Sequence, residues 1–201
     1  LSSAALIFVT CMVVMFIGRV PVKYLAMLVL VGCIAGASAL AIGQRAGTAI
    51  SRIESFLSED DIPFQAEQSF IAIANGGTIR FAPGKSQQKN FLPHPYSDFI
   101  YAIIIEEYGL VGGVTVLFLY LALLYRGTRV VATSERTYGG LLSAGLSFAL
   151  VMQAMVNMAV AVGLVPITGL TLPLVSMGGT SQLFVGVAIG IILSVSRGEI
   201  E

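Results

Sequence analysis

Charge is what this sequence has least of. Only 11% of its 201 residues are Asp, Glu, Lys or Arg, against about 25% in an ordinary soluble domain. From Thr137 to Ser196 there is no acid, no base and no histidine. No soluble fold of this size needs so long a charge-free stretch. A bilayer does, because one charge at its centre costs roughly 2.5–3.5 kcal/mol even on lenient scales. Tryptophan is absent, and one histidine, His94, with two cysteines leaves no metal-ligand spacing. The formal net charge is zero, so there is no global field to gather nucleic acid, which is not expected as a partner. Cys11 and Cys33 lie in apolar stretches and are expected as small buried hydrophobes.

What is abundant is apolar surface, at 56% of residues, with a mean hydropathy of +0.90. About 20 apolar residues carry a helix across the hydrocarbon core. Five stretches qualify, at roughly 1–17, 24–42, 99–125, 139–162 and 175–195. The third is long enough to tilt or to project beyond the bilayer. Alternating ten-residue strands, which a membrane β-barrel needs, are not seen. The expected fold is all-α, a polytopic helical membrane bundle of about five spans. It forms a single membrane domain over 1–201 with a long outer loop at 43–97. The chain starts without Met, inside an apolar run, and is read as part of a longer protein.

Basic residues in short loops set the orientation. Arg19 and Lys23 flank the first loop, Arg126, Arg129 and Arg136 follow the third span, and Arg197 follows the fifth. These ends are expected in the cytoplasm, which puts 43–97 and 163–174 outside.

The outer loop holds five cations, Arg45, Arg52, Arg80, Lys85 and Lys89. Long loops translocate despite positive charge, and Glu54, Glu59, Asp60, Asp61 and Glu67 offer pairing partners. The alternative use is an anionic ligand at the outer membrane face. Ala46, Ala49, Ile50, Ile53, Phe56 and Leu57 recur at helical spacing. They predict an amphipathic helix with Arg45 and Arg52 on one face, at the depth of membrane lipid headgroups. A second short helix is expected over 64–74, ended by Asn75-Gly76-Gly77. Pro83-Gly84-Lys85-Ser86 is not a nucleotide loop, because Ile79 stands where the first glycine belongs and no strand precedes it.

Pro93 and Pro95 keep the next stretch extended, and Ser97 or Asp98 can cap the third span. Asp98 would then hold a carboxylate at the outer mouth of a cavity. His94 and Ser97 flank it and are carried with it as candidate substrate contacts, although a lone loop histidine is more often merely solvated. Glu106 and Glu107 lie two turns deeper. Intramembrane acids are functional candidates by default, but here depth favours structural polar bonding. Gln153 and Asn157, four apart on the fourth span, fit interhelical hydrogen bonding. The Gly- and Pro-rich run at 163–181 suits a re-entrant or cavity-lining segment.

Several segments in this order resemble one family. They are Phe91-Leu92-Pro93 with Ser97-Asp98-Phe99-Ile100, Glu106-Glu107-Tyr108-Gly109-Leu110, Asn157 with Gly163 to Gly169, and Leu172-Pro173 through Ser181. Arg45, Arg52, Gln65 and Gln68-Ser69, leading to Asn75-Gly76-Gly77, also match, as does Ser196-Arg197. Together they resemble the second half of the SEDS family (FtsW, RodA and SpoVE), over essentially the whole chain. The wording at 91–99 leans towards FtsW, hence septal division over elongation. There are two departures: Tyr96-Ser97 replaces the usual His-Thr, and the stretch after Gly77 has lost a glycine.

The resemblance implies a peptidoglycan glycosyltransferase in the bacterial cytoplasmic membrane that polymerises lipid II on the outer side, beside a class B penicillin-binding protein. Asp98 maps to the family's essential loop carboxylate and would act as general base. Arg45, Arg52, Lys85 and Lys89 would meet the leaving diphosphate. A divalent cation held by Asp98 could share that task. The competing readings are a flippase for the lipid-linked precursor and a non-catalytic scaffold for the penicillin-binding protein. Spans four and five carry no charge near the midplane, which a flippase would need.

Overall fold

The computed structural model describes residues 2–42, 47, 51, 63–88, 98–133 and 137–197. The regular elements among these residues are all helices, with no strand among the described residues. The elements are α1 (Ser2–Ile17), α2 (Val22–Ile42), α3 (Phe64–Gly76), α4 (Ile100–Thr133), α5 (Thr137–Ala161) and α6 (Gly179–Arg197).

α4, α5 and α6 are long and apolar enough to cross a membrane. α1 and α2 occupy the first two expected spans as shorter apolar helices. Both are apolar on every face, as suits helices whose exterior meets lipid or other membrane helices. α2 is the barer of the two, with Leu25 its one buried residue among those whose burial is described. Cys11 and Cys33 correct the expectation of burial, since both are exposed on this chain. In a bilayer an apolar side chain has no reason to turn inward, so apolar context does not imply a protein core.

α4 and α5 make the central pair. Their seam holds Tyr101, Ala102, Ile105, Tyr120, Val151, Ala154 and Met158. α6 adds Val185, Ala188 and Ile192 against Leu150. Gly18 at the foot of α1 lies beside Leu141, and Gly139 beside Val195. One end of the bundle therefore gathers the α1–α2 turn with Arg19, the end of α4, the start of α5 and the end of α6 with Arg197. The opposite end carries α3, residues 77–88, Asp98 and residues 163–178.

α3 follows Pro63, whose carbonyl accepts from Ala66 and Glu67, and Glu67 suits the positive end of the helix dipole. It lies across α4 and α5. Ala72 is fully buried in the central core, Ser69 Oγ donates to Ala161 O at 2.8 Å, and the Phe70 ring lies on Gly163. The helix ends where expected, at Gly77, φ 59°. Gly76 must be glycine for space: a Cβ there would overlap the Ile105 carbonyl oxygen, and its carbon at 2.7 Å. The predicted amphipathic helix over 46–57 falls almost entirely outside the described residues.

Candidate functional site

Asp98 stands just before α4, half-buried. The Phe99 carbonyl accepts the first helical bonds, from Ala102 at 3.0 Å and Ile103 at 3.3 Å. Phe99 thus holds the cap position, one residue later than the sequence suggested. Its ring is 1% exposed, packed with Val160, Val156, Val165 and Ile167, and so pins Asp98 to the C-terminal end of α5. A carboxylate at this end of a helix is favoured by the dipole.

The fourth-span amides do more than bridge helices. Asn157 Nδ2 donates to Asp98 O at 2.8 Å and to Leu170 O at 2.6 Å. Gln153 Nε2 donates to Thr171 O at 2.9 Å, with Thr171 Oγ1 at 3.4 Å. α5 therefore holds both the backbone at Asp98 and the non-helical stretch at 170–171. Gly169 faces the carboxylate: a Cβ there would lie 3.9 Å from Asp98 Oδ2. Asn157 Oδ1 and Thr168 Oγ1 are buried and have no hydrogen-bond partner among the described residues.

Residues 163–178 enter the bundle as a re-entrant segment. The Tyr120 hydroxyl, in the middle of α4, donates to Pro173 O. Ser176 Oγ accepts from Leu172 N at 2.8 Å, and Ser176 O accepts from Gln182 Nε2 at 3.1 Å. Non-helical backbone at membrane depth is tolerated when protein surrounds and satisfies it, and Leu172, Pro173 and Ser176 are all buried. This segment delays the last helix, which starts at Gly179 rather than near 175.

Among the described residues, Glu106 and Glu107 bond to the loop at 82–87 and not to neighbouring helices. Glu106 is 1% exposed. It pairs through Oε2 with the Ser86 hydroxyl and through Oε1 with Gln87 N at 3.1 Å. Glu107 Oε1 lies 3.4 Å from Ser86 N, and its carbonyl accepts from Ala82 N at 2.9 Å. Just beyond them α4 breaks at Gly109, φ 72° and ψ −176°. The break frees Leu110 N for Gly77 O at 3.0 Å and Val111 N for Thr78 O at 3.3 Å. A Cβ at Gly109 would meet Arg80 N and Thr78 O, each at 2.8 Å. The loop and the helix break are thus stitched together along residues 76–88.

Lys85 projects into solvent from the turn in this stitched loop, its N–H bonded to Ala82 O at 3.1 Å. Arg80 is committed elsewhere, donating to Asn75 O at 2.7 Å. Arg45, Arg52, Lys89, His94 and Ser97 lie outside the described residues. Sequence reasoning missed Ser86 and Gln87 as the partners of the acids, and Leu170 as a partner of Asn157. Two adjacent acids on an otherwise apolar helix were the available signal for the first. Backbone acceptors leave no signal in sequence, so the second had none.

The profile of the family described as cell cycle protein, covering FtsW, RodA and SpoVE, matches residues 1–200. Stage V sporulation protein E of Bacillus subtilis is 38% identical over 193 residues, which are 94% of this chain and 52% of that protein. A probable peptidoglycan glycosyltransferase FtsW from Alkalilimnicola ehrlichii is 43% identical over 136 residues, 66% of this chain and 34% of that one. A chain of the solved structure described as "Structural coordination of polymerization and crosslinking by a peptidoglycan synthase complex" superposes with a TM-score of 0.50 at 25% identity, covering 81% of this chain and 48% of that chain. The chain spans about half the length, or less, of these relatives. Profile, relatives and fold agree: this chain belongs to the FtsW/RodA/SpoVE family of membrane-embedded cell-cycle proteins.

Proposed function

We propose that the chain is the catalytic-loop half of a peptidoglycan glycosyltransferase that polymerises lipid II for septal wall synthesis, in the cytoplasmic membrane with its site on the outer face. The observation that carries this is the seating of Asp98. Its backbone is clamped by Asn157 and its carboxylate looks onto Gly169, a residue with no side chain of its own to crowd it. The relatives named as peptidoglycan glycosyltransferases support the reaction class.

In this reading the acceptor sugar's 4-hydroxyl attacks the anomeric carbon of the lipid-linked donor. The proton of that hydroxyl passes to Asp98, worth about 10²–10⁴-fold for a positioned base. As the new C–O bond forms, the bond to the polyprenyl diphosphate breaks and the leaving group takes the electron pair. Lys85, solvent-facing beside Ser86, is the described cation available to the diphosphate, and Arg45, Arg52 and Lys89 are the further candidates. His94 and Ser97 would contact the sugars near the carboxylate. Among the described residues no three His, Cys, Asp or Glu gather as a metal cage. A divalent ion at Asp98 would take its other ligands from the diphosphate. A class B penicillin-binding protein is the expected partner, in line with a structural relative described as a synthase complex that coordinates polymerisation and crosslinking.

The test is lipid II polymerisation with Asp98→Asn: chain growth must stop while the protein stays folded in the membrane.

A further inference from the structure

The hydrocarbon core is about 30 Å thick. α4 is broken at Gly109 and does not cross it as one straight rod. Its charge-free part runs from Tyr108 to Tyr125, between Glu107 and Arg126, and spans about 27 Å at 1.5 Å per residue. A tyrosine at each end matches the aromatic belts of membrane helices, and both are exposed. The break at Gly109 then lies at the membrane surface, with Glu106, Glu107 and Asp98 outside it.

The loop stitched to this break presents an unusual face. Ile79 and Phe81 are 83% and 82% exposed. Arg80, between them, turns to the Asn75 carbonyl. A loop made for water would do the reverse. The backbone bonds at Gly77, Thr78 and Ala82 hold this segment in place, so the pair is not free to fold inward. Phe81 meets the Tyr108 ring edge to face at 5.9 Å, and Leu110 and Val111 continue the exposed apolar surface down α4.

We propose that residues 78–82 are a membrane-interface foot, with Ile79 and Phe81 seated among lipid headgroups and the first acyl carbons beside Tyr108. The foot fixes the height of the stitched loop, and with it Lys85, above the bilayer. It does not depend on the reaction assigned to Asp98. The chain has no tryptophan of its own, so Phe81→Trp adds a reporter at the foot. In the full-length protein in phosphatidylcholine vesicles, the emission added over the parent should be lost to lipids brominated high on the acyl chain and resist aqueous acrylamide. Ile79→Trp should behave alike. Strong acrylamide quenching without lipid quenching would place the loop in water and overturn the proposal. Quenching by neither would mean that protein covers the foot, and would overturn it equally.

Discussion

Asn157 holds Asp98 by its backbone, not by its carboxylate: the amide nitrogen reaches the Asp98 carbonyl at 2.8 Å and the Leu170 carbonyl at 2.6 Å. This bond fixes the position of Asp98 from α5. Asn157→Ala should therefore spare the acid and lose the alignment. A misplacement of about 1 Å can cost about 10²-fold in rate, and polymerisation should fall by about that much. Asn157→Asp should be at least as damaging, because its oxygens face two carbonyls. Initial rates measured with each variant at matched membrane expression check this.

Glu106 accepts from the loop at two points, the Ser86 hydroxyl and the Gln87 N–H. Glu106→Leu removes both acceptors and should destabilise the loop by about 1–3 kcal/mol per orphaned group. Glu106→Gln keeps one carbonyl oxygen for Gln87, and the serine hydroxyl can turn to accept. Hydrogen exchange at residues 82–88 should rise strongly in the leucine variant and stay near the parent in the glutamine variant.

Gly109 sits at φ 72° with two backbone atoms 2.8 Å from where a Cβ would go. Gly109→Ala should cost about 1–3 kcal/mol from the backbone conformation alone, and contact with residues 78–80 adds to it. The expected outcome is an earlier unfolding transition and protease cleavage within 77–88. Gly112→Ala, in the same helix, meets mainly the Tyr108 side chain and should be milder.

Tyr120 ties the re-entrant segment to the apolar part of α4 through Pro173 O. Interhelical polar bonds in membranes average about 0.6 kcal/mol, so Tyr120→Phe should lower stability by about that amount and leave membrane insertion unchanged. Unfolding of the reconstituted protein in a denaturing detergent reads it.

Much of this was legible from residues alone. The five apolar stretches became five helices, and α3 ended at its Asn-Gly-Gly signal. The bend at 163–178 was legible because Pro166 and Pro173 cannot continue a helix. Less visible was the break in α4. Gly109 looked like one glycine among several in an apolar helix, and only the returning loop, with Gly76 against Ile105 and Gly77 bonded to Leu110, explains its conformation. The roles of Glu106 and Asn157 were half seen. Their burial demanded partners, but the partners are backbone groups and a serine distant in sequence. The burial of cysteine failed because the solvent here is lipid.

The most direct measurement is lipid II polymerisation by the full-length protein with a class B penicillin-binding protein, the proposed partner, transpeptidation blocked by penicillin, comparing the parent with Asp98→Asn. Glycan chains from the parent and none from a folded, membrane-inserted variant is the expected result. Chains of equal yield from both would contradict Asp98 as the base at the centre of this site.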